Sequence, residues 1–131
     1  MAKQTILRGT VQNDGTGSSL YIASGIINSN FTELYPSRNA QAVNYAMTIA
    51  DTLVGVTSTG SPRTITLPPP ASVSVGLPYI IKDEGGGAVT NNITVARNAA
   101  ESIDGVAANI VINTNYGFKR LYSNGINWFT I

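Results

Sequence analysis

The sequence of 131 residues contains no cysteine and no histidine. This absence excludes disulfide frameworks, zinc sites built from Cys and His, cysteine nucleophiles and Ser-His-Asp triads, because each needs a side chain that the chain lacks. Seven carboxylates and a few lysine, tyrosine and serine side chains remain for catalysis.

Charged residues are also scarce: they make up 11% of the chain, against roughly 25% in a typical soluble domain. The net charge is +1, and the basic residues are scattered except for the adjacent pair Lys119 and Arg120, which argues against nucleic-acid binding. No segment has the roughly 18 consecutive apolar residues that a membrane span needs, and the N-terminus lacks the apolar core of a signal peptide. We therefore expect a soluble protein, made in the cytosol, with no nucleic-acid or membrane partner.

Residues 1–36 are predicted to form a loop followed by one short α-helix. Asn13–Gly17 is rich in residues that tolerate a positive φ or bond to their own backbone, which is typical of a loop. Apolar residues at steps of three and four then predict a helix over about residues 19–35, with Ser18 or Ser19 as N-cap and Pro36 at its end. Gly25 weakens this helix by about 1 kcal/mol relative to alanine, so the helix depends on packing against something else. The periodic residues are Leu20, Ala23, Ile27, Phe31 and Leu34.

From residue 37 to residue 131 the pattern changes to the alternation that is typical of β-strands. Val43, Tyr45, Met47 and Ile49 lie on one side of the first candidate strand. Short strands separated by turn residues favour a mainly β domain, a small β-sandwich or jelly-roll-like fold, which we predict for residues 37–131. Further strands are predicted at Leu53–Thr57, Arg63–Leu67, Tyr79–Asp83, Asn92–Ala96, Asn109–Asn113, Tyr116–Ser123 and Ile126–Ile131.

Three connections carry more specific predictions. Asn124 and Gly125 predict a type I′ hairpin between the last two strands, because that turn needs two residues with positive φ. The run Gly85–Gly87 lacks the Lys-Ser/Thr that follows in a phosphate-binding loop, and we interpret it as a flexible hairpin loop. Residues 96–108 fit either a short helical turn or an extended loop.

The N-terminal sequence GTVQNDGTG (residues 9–17), followed by IINSNFTELY (residues 26–35), resembles a module of phage virion proteins. In that family an NDGTGD loop precedes a helix ending in INxNFTELY. This chain departs from the pattern at Ser18, where the family has an acidic residue, and at Tyr21 and Ile22, where it often has a basic one. The resemblance implies that the module docks the protein on the virion. The implied docking residues are Asn13, Asp14, Gly15, Gly17, Asn30, Phe31 and Tyr35.

The later sequences ITLPP (residues 65–69), PYIIKDE (residues 78–84) and LYSNGINWF (residues 121–129) resemble a small β-domain. That domain recurs at the ends of phage tail fibres and in other phage surface proteins. Such proteins are usually homotrimers, so the resemblance implies a homotrimer that is assembled into virions in the cytoplasm of a bacterial host.

The acidic residues offer two candidates for a catalytic or metal-binding site. Asp83 and Glu84 are adjacent carboxylates, but neighbours on a strand point to opposite faces, so they cannot act together on one substrate. Asp14 lacks the spaced oxygen ligands and the distal Glu of a calcium loop, which favours a simple turn. We therefore predict no catalytic residue, no metal site and no cofactor.

Aromatic residues are concentrated in the last two predicted strands. Such side chains usually fill a core or a subunit interface, although stacking on a carbohydrate or a host receptor is an alternative. Because one side of the strand at residues 116–123 carries aromatic residues and Arg120, we expect that side to be buried. The residues assigned to the core or to a subunit interface are Tyr116, Phe118, Tyr122, Trp128 and Phe129.

Three functions compete. The preferred one is a non-enzymatic capsid decoration or cement protein, a trimer that binds the major capsid protein, because the chain has no shaft-forming repeats between its docking module and its β-domain. The alternative is a tail fibre, tail-tip or baseplate component that contacts a host surface receptor, which exposed Trp128 and Tyr122 would favour. A polysaccharide hydrolase is a third hypothesis that nothing in the sequence requires.

Overall fold

A computed structural model of the chain describes residues 15–17, 19, 22–28 and 37–131. The chain divides into two units, Met1–Pro36 and Ser37–Ile131. In the first unit, residues 22–28 are helical. The Ser19 hydroxyl accepts the backbone N–H of Ile22 at 3.3 Å, which confirms Ser19 as the predicted N-cap. The predicted end of the helix at Pro36 lies outside the described residues.

The second unit is built of β-strands, which confirms the mainly β prediction. One turn of 3₁₀ helix, Pro70–Ser72, begins at the last of three consecutive prolines. Residues 37–131 contain nine strands: β1 (Arg38–Gln41), β2 (Tyr45–Ala46), β3 (Leu53–Val56), β4 (Arg63–Thr66), β5 (Tyr79–Asp83), β6 (Ile93–Ala96), β7 (Ile110–Ile112), β8 (Phe118–Ser123) and β9 (Trp128–Thr130).

The first six strands alternate between two sheets. β1, β3 and β5 lie side by side in one sheet, β2, β4 and β6 in the other, and all neighbouring pairs among them are parallel. Each pair of successive strands therefore forms one coil that stacks on the previous coil, which is the arrangement of a short β-solenoid. Of the two predicted topologies, the jelly-roll-like one is wrong, because a jelly roll is built from antiparallel strands whereas four pairs in this unit are parallel. The β-sandwich alternative stays a prediction.

The last three strands close the end of the solenoid with antiparallel pairs. β7 pairs with β6, so the second sheet has the order β2-β4-β6-β7. β8 pairs with β5 and β9 with β8, which completes a five-stranded sheet of order β1-β3-β5-β8-β9.

Both sheets contribute to one hydrophobic core. Along β5 the side chains of Tyr79, Ile81 and Asp83 are buried, whereas Ile80 and Lys82 are only partly covered. Strand alternation thus gives each sheet one side toward the core and one away from it. The largest apolar core residues are Val54, Val56, Ile65, Leu67, Tyr79, Ile81, Ile93, Val95, Ile103, Leu121 and Trp128.

The strands of the first coil differ most from the strands predicted for that region. The continuous strand expected from Val43 to Ile49 is only Tyr45–Ala46, and Val43 and Ile49 are exposed. β1 was not predicted, because its inward residues Asn39 and Gln41 are polar. In register, Asn39 lies beside Val54, and Gln41 beside Val56, so the core becomes polar at this end of the solenoid.

The tight hairpin turn lies at a different place from the predicted one. The loop between β8 and β9 has four residues, because Ser123 pairs with Trp128, and of Asn124 and Gly125 only Gly125 has a positive φ. The type I′ prediction is therefore wrong at this site. Asp104 and Gly105 instead have φ of 50° and 79° and form a tight hairpin turn with two backbone hydrogen bonds between its flanking residues. Residues 96–108 contain this turn and no helix.

Candidate functional site

All five carboxylates of residues 37–131 accept hydrogen bonds from the protein itself. Glu101 accepts the backbone N–H groups of Asn98 and Ala99, at 2.6 and 2.9 Å. Asp104 accepts the N–H and the hydroxyl of Thr130, at 2.9 and 2.6 Å, along the edge of β9. These two acids organise a turn and a strand edge. The other three are Asp51, Asp83 and Glu84.

Asp83 is fully buried and joins two loops to the end of β5. Its Oδ1 atom accepts the N–H of Gly86 at 2.8 Å, and its Oδ2 atom accepts the N–H groups of Ala88 and Tyr116, each at 3.1 Å. Three backbone donors thus compensate the burial of the carboxylate.

Glu84 lies on the other side of the sheet, so the prediction that the two adjacent carboxylates face opposite ways is confirmed. Its carboxylate crosses over β3 and binds the guanidinium of Arg38 on β1 through two hydrogen bonds. Gly55 lies between them, where a Cβ atom would collide with the Glu84 carboxylate. The hydrogen bond and the positive charge of Arg38 hold the pKa of Glu84 below its ordinary value, although partial burial opposes this.

A polar network around Asp51 occupies the first coil. Its carboxylate accepts hydrogen bonds from the Asn39 amide at 2.7 Å, the Tyr45 hydroxyl at 2.8 Å, and the N–H and hydroxyl of Thr48 at 2.7 and 2.8 Å. Burial alone would raise the pKa of Asp51, but these hydrogen bonds outweigh it and the pKa lies below its ordinary value. Burial, followed by the hydrogen bond to Asp51, raises the pKa of Tyr45.

The lowered pKa of Asp51 predicts a loss of stability in acid. Because its pKa is lower in the folded than in the unfolded chain, the carboxylate stabilises the fold above its unfolded pKa, and this contribution disappears as the pH falls below about 4. The free energy of unfolding, measured between about pH 6 and pH 2, should fall less steeply with acid in D51N than in the wild type. Equal slopes would contradict the assignment. E84Q is the matched control, because it removes the other carboxyl group whose pKa is lowered.

The triglycine loop is packed rather than open. A Cβ atom on Gly85 would lie 2.9 Å from the Thr59 hydroxyl, and one on Gly86 would collide with the ring of Tyr116. Gly86 also has a φ of 71°, which favours glycine. The prediction of a hairpin loop is wrong, because β5 and β6 belong to different sheets.

The aromatic residues of the last two strands separate into one core residue and four others. Trp128 is buried, and its ring meets Tyr79 edge-on with centroids 5.2 Å apart. Phe118 is 59% exposed, and Tyr122 and Phe129 are partly buried and stack on each other at 5.5 Å. Within a single chain the aromatic side of β8 is not buried in the core, so that prediction is wrong. The side that enters the core carries Leu121 and Ser123. Whether the other aromatic residues form a subunit interface stays a prediction.

Tyr116 is 63% exposed and has a φ of 58°, a conformation that bulky residues rarely adopt. Three interactions hold it there: its N–H donates to Asp83, its carbonyl accepts from the Lys82 ammonium, and its ring lies against Gly86. No sequence signal marked this conformation, because it depends on residues some 30 positions earlier in the chain.

We call the side of the five-stranded sheet that points away from the core the outer face. Its residues alternate along each strand with core residues and lie in register across the sheet. The outer face consists of Arg38, Ala40, Leu53, Gly55, Ile80, Lys82, Phe118, Arg120, Tyr122 and Phe129. It brings aromatic, aliphatic and basic side chains together on one surface.

Of the residues assigned to virion docking, Gly15 and Gly17 are exposed, and Gly15 has a φ of 72° as expected for a loop. The other five, Asn13, Asp14, Asn30, Phe31 and Tyr35, lie outside the described residues.

Within the part of the chain that the structure describes, no three acidic residues gather into a metal-binding group, and no helix has the length and apolar character to cross a bilayer. No protein-family model matches the chain, and neither does any curated protein.

Proposed function

We propose that the chain is a non-enzymatic structural protein of a phage particle, and that it acts as a trimeric cement protein on the head shell. The virion assignment and the trimer rest on the resemblance of the two sequence modules. The structural observation that carries the proposal is the outer face. Phe118 is 59% exposed there and adjoins the partly exposed Ile80, Tyr122 and Phe129, and a contiguous apolar patch is a feature of surfaces that other proteins cover.

The use of the acidic residues supports the same proposal. Each carboxylate of residues 37–131 holds a loop, a strand edge or a neighbouring strand of its own chain. A cement protein needs such a stiff fold, because it resists the outward pressure of packaged DNA only if it transmits force between the capsid subunits that it joins.

The proposed mechanism uses the two units differently. The N-terminal module docks on the major capsid protein through the residues that match the virion pattern, among them Asn13, Asp14 and Phe31. The β-unit adds contact area between neighbouring shell subunits. Each added contact stabilises the shell only to the extent that it is made in the assembled state and not in free subunits.

A tail fibre, tail-tip or baseplate component is the second candidate. The exposure of two aromatic residues, Tyr116 and Phe118, favours it, because exposed aromatic side chains can stack on a receptor or a glycan. Burial of Trp128 counts against it, since that side chain is then inaccessible to a host surface.

Electron microscopy of intact virions that carry a label on this chain separates the candidates. We expect label over the head in a trimeric arrangement, and label at the tail would replace the cement proposal with the second candidate.

Deletion of residues 1–36 should leave a folded, soluble trimer that no longer joins the particle, because the second unit has its own core. Incorporation of this shortened chain at the wild-type level would contradict the docking role of the module.

A further inference from the structure

Positive charges outnumber negative ones on the outer face. Its one acidic neighbour is Glu84, and Arg38 neutralises that carboxylate. Lys82 and Arg120 add two further positive charges, and within the described residues no carboxylate pairs with either of them. The face therefore presents a net positive charge of about two next to its apolar side chains.

Basic and apolar side chains alternate along the central strands of this face. Phe118 lies opposite Lys82 across β5 and β8, and Arg120 lies opposite Ile80. Beyond them, Tyr122 and Phe129 form the stacked aromatic pair. Aromatic residues with arginine among them are the composition found at the centres of protein interfaces.

One end of the face is held rigidly. Phe118 follows directly on the turn in which the buried carboxylate of Asp83 fixes the backbone of Tyr116. On the adjoining loop, Val89 is 62% exposed, and its N–H donates to the side chain of Asn115 at 2.9 Å. A surface whose backbone is fixed before binding loses less entropy when a partner covers it.

The charges argue against a second copy of this chain as the occupant. Copies that met through this face around a symmetry axis would bring Lys82 and Arg120 toward their own equivalents. Like charges brought together at an interface cost several kcal/mol. An acidic partner gains from the same charges. The width of the face, about 19 Å across five strands at the usual spacing, suits a protein surface better than a small ligand.

We propose that the outer face binds an acidic, apolar protein surface on the phage particle, with Arg120 and Phe118 as its central contacts. The inference rests on the proposed function, since it takes the partner to be another virion protein. The contact with the particle then lies on one side of one sheet, and the surface that the partner presents is negatively charged. The interface between copies of the chain then lies elsewhere.

The test uses particles produced without this chain, to which the purified full-length protein is added. R120E and F118S are compared with V111E, in which the substituted residue is exposed on β7 of the other sheet. We expect wild-type binding to weaken as salt is raised, and R120E and F118S to bind about tenfold or more weakly, because each removes a central contact. V111E should bind like the wild type. Unfolding curves and sedimentation test whether each variant is folded and has the wild-type oligomeric state.

The outcomes separate the inference from the function on which it rests. Wild-type binding at the head or the tail, located by microscopy, tests the proposed function. Loss of binding in R120E supports the inference at either location. R120E that binds like the wild type overturns the inference alone, and so does R120E that dissociates into monomers, because the face would then join copies of the chain. Wild-type protein that binds no part of the particle overturns both.

Discussion

Replacing Trp128 by alanine is expected to lower the free energy of unfolding by about 3–5 kcal/mol. The indole is fully buried between the sheets and lies edge-on to the ring of Tyr79. Alanine would remove most of the largest side chain in the core and leave a cavity that the surrounding strands cannot close, because their register is set by backbone hydrogen bonds on both sides. Denaturant unfolding of the full-length chain at a fixed concentration measures the loss.

Two matched variants identify the cause. W128F keeps an aromatic ring against Tyr79 and removes the indole N–H, which is buried without a hydrogen-bond partner among the described residues, so it should cost much less than W128A. F129A removes the neighbouring aromatic side chain from the outer face and should cost about 1 kcal/mol. If W128A and F129A cost the same, the central role of Trp128 in the core is wrong.

Most of the strands could be predicted because alternation survives wherever one side of a strand is buried. Tyr79–Asp83 was predicted to the residue, since its first two buried positions, Tyr79 and Ile81, are large and its other positions include a lysine. Strand β1 could not be predicted in the same way. Its inward residues are hydrogen-bonded polar side chains, so the sequence lacks the apolar alternation that marks a half-buried strand.

The pairing of the strands lies beyond the sequence pattern. Alternation tells which side of a strand is buried, but it does not tell whether the neighbouring strand is parallel, and an isolated β3 or β5 looks the same in a jelly roll and in a solenoid. The parallel stacking depends on Arg38, Leu53 and Ile80 lying beside one another, although they are 15 and 27 residues apart. Only long-range contacts specify that register.

The orientation of β8 was wrong for a related reason. Both sides of this strand carry an apolar residue, and hydrophobicity favoured the aromatic side. The structure buries Leu121 and Ser123 instead, because Leu121 lies beside the core residue Tyr79 and the Ser123 hydroxyl donates to the carbonyl of Pro70 at 2.8 Å. A serine with its hydrogen bond satisfied can be buried at little cost, whereas a charged Arg120 cannot. The same error in the orientation of β8 hid the candidate site, because the outer face is the side of this strand that was expected to be buried.

Substituting Asp83 by asparagine is expected to cost about 2–4 kcal/mol, although the side chain keeps its shape. An amide group would offer one oxygen to three backbone donors that now share two oxygens, and its NH2 would point at a backbone N–H. At least one of these backbone donors would lose its partner, and the remaining hydrogen bonds would lose the charge that strengthens them.

D104N is the matched control, because Asp104 is exposed and one of its two donors is the hydroxyl of Thr130, which can rotate and accept from an amide. It should change the free energy of unfolding by less than about 1 kcal/mol.

Hydrogen exchange locates the effect of D83N. In this variant the amides of Gly86, Ala88 and Tyr116 should exchange faster, because both loops attach to β5 through the Asp83 carboxylate. The loosened turn at Tyr116 also adjoins Phe118, so D83N should weaken particle binding more than its loss of stability alone explains. D83N protein with wild-type stability and unchanged exchange at these three amides would show that the carboxylate does not hold the loops.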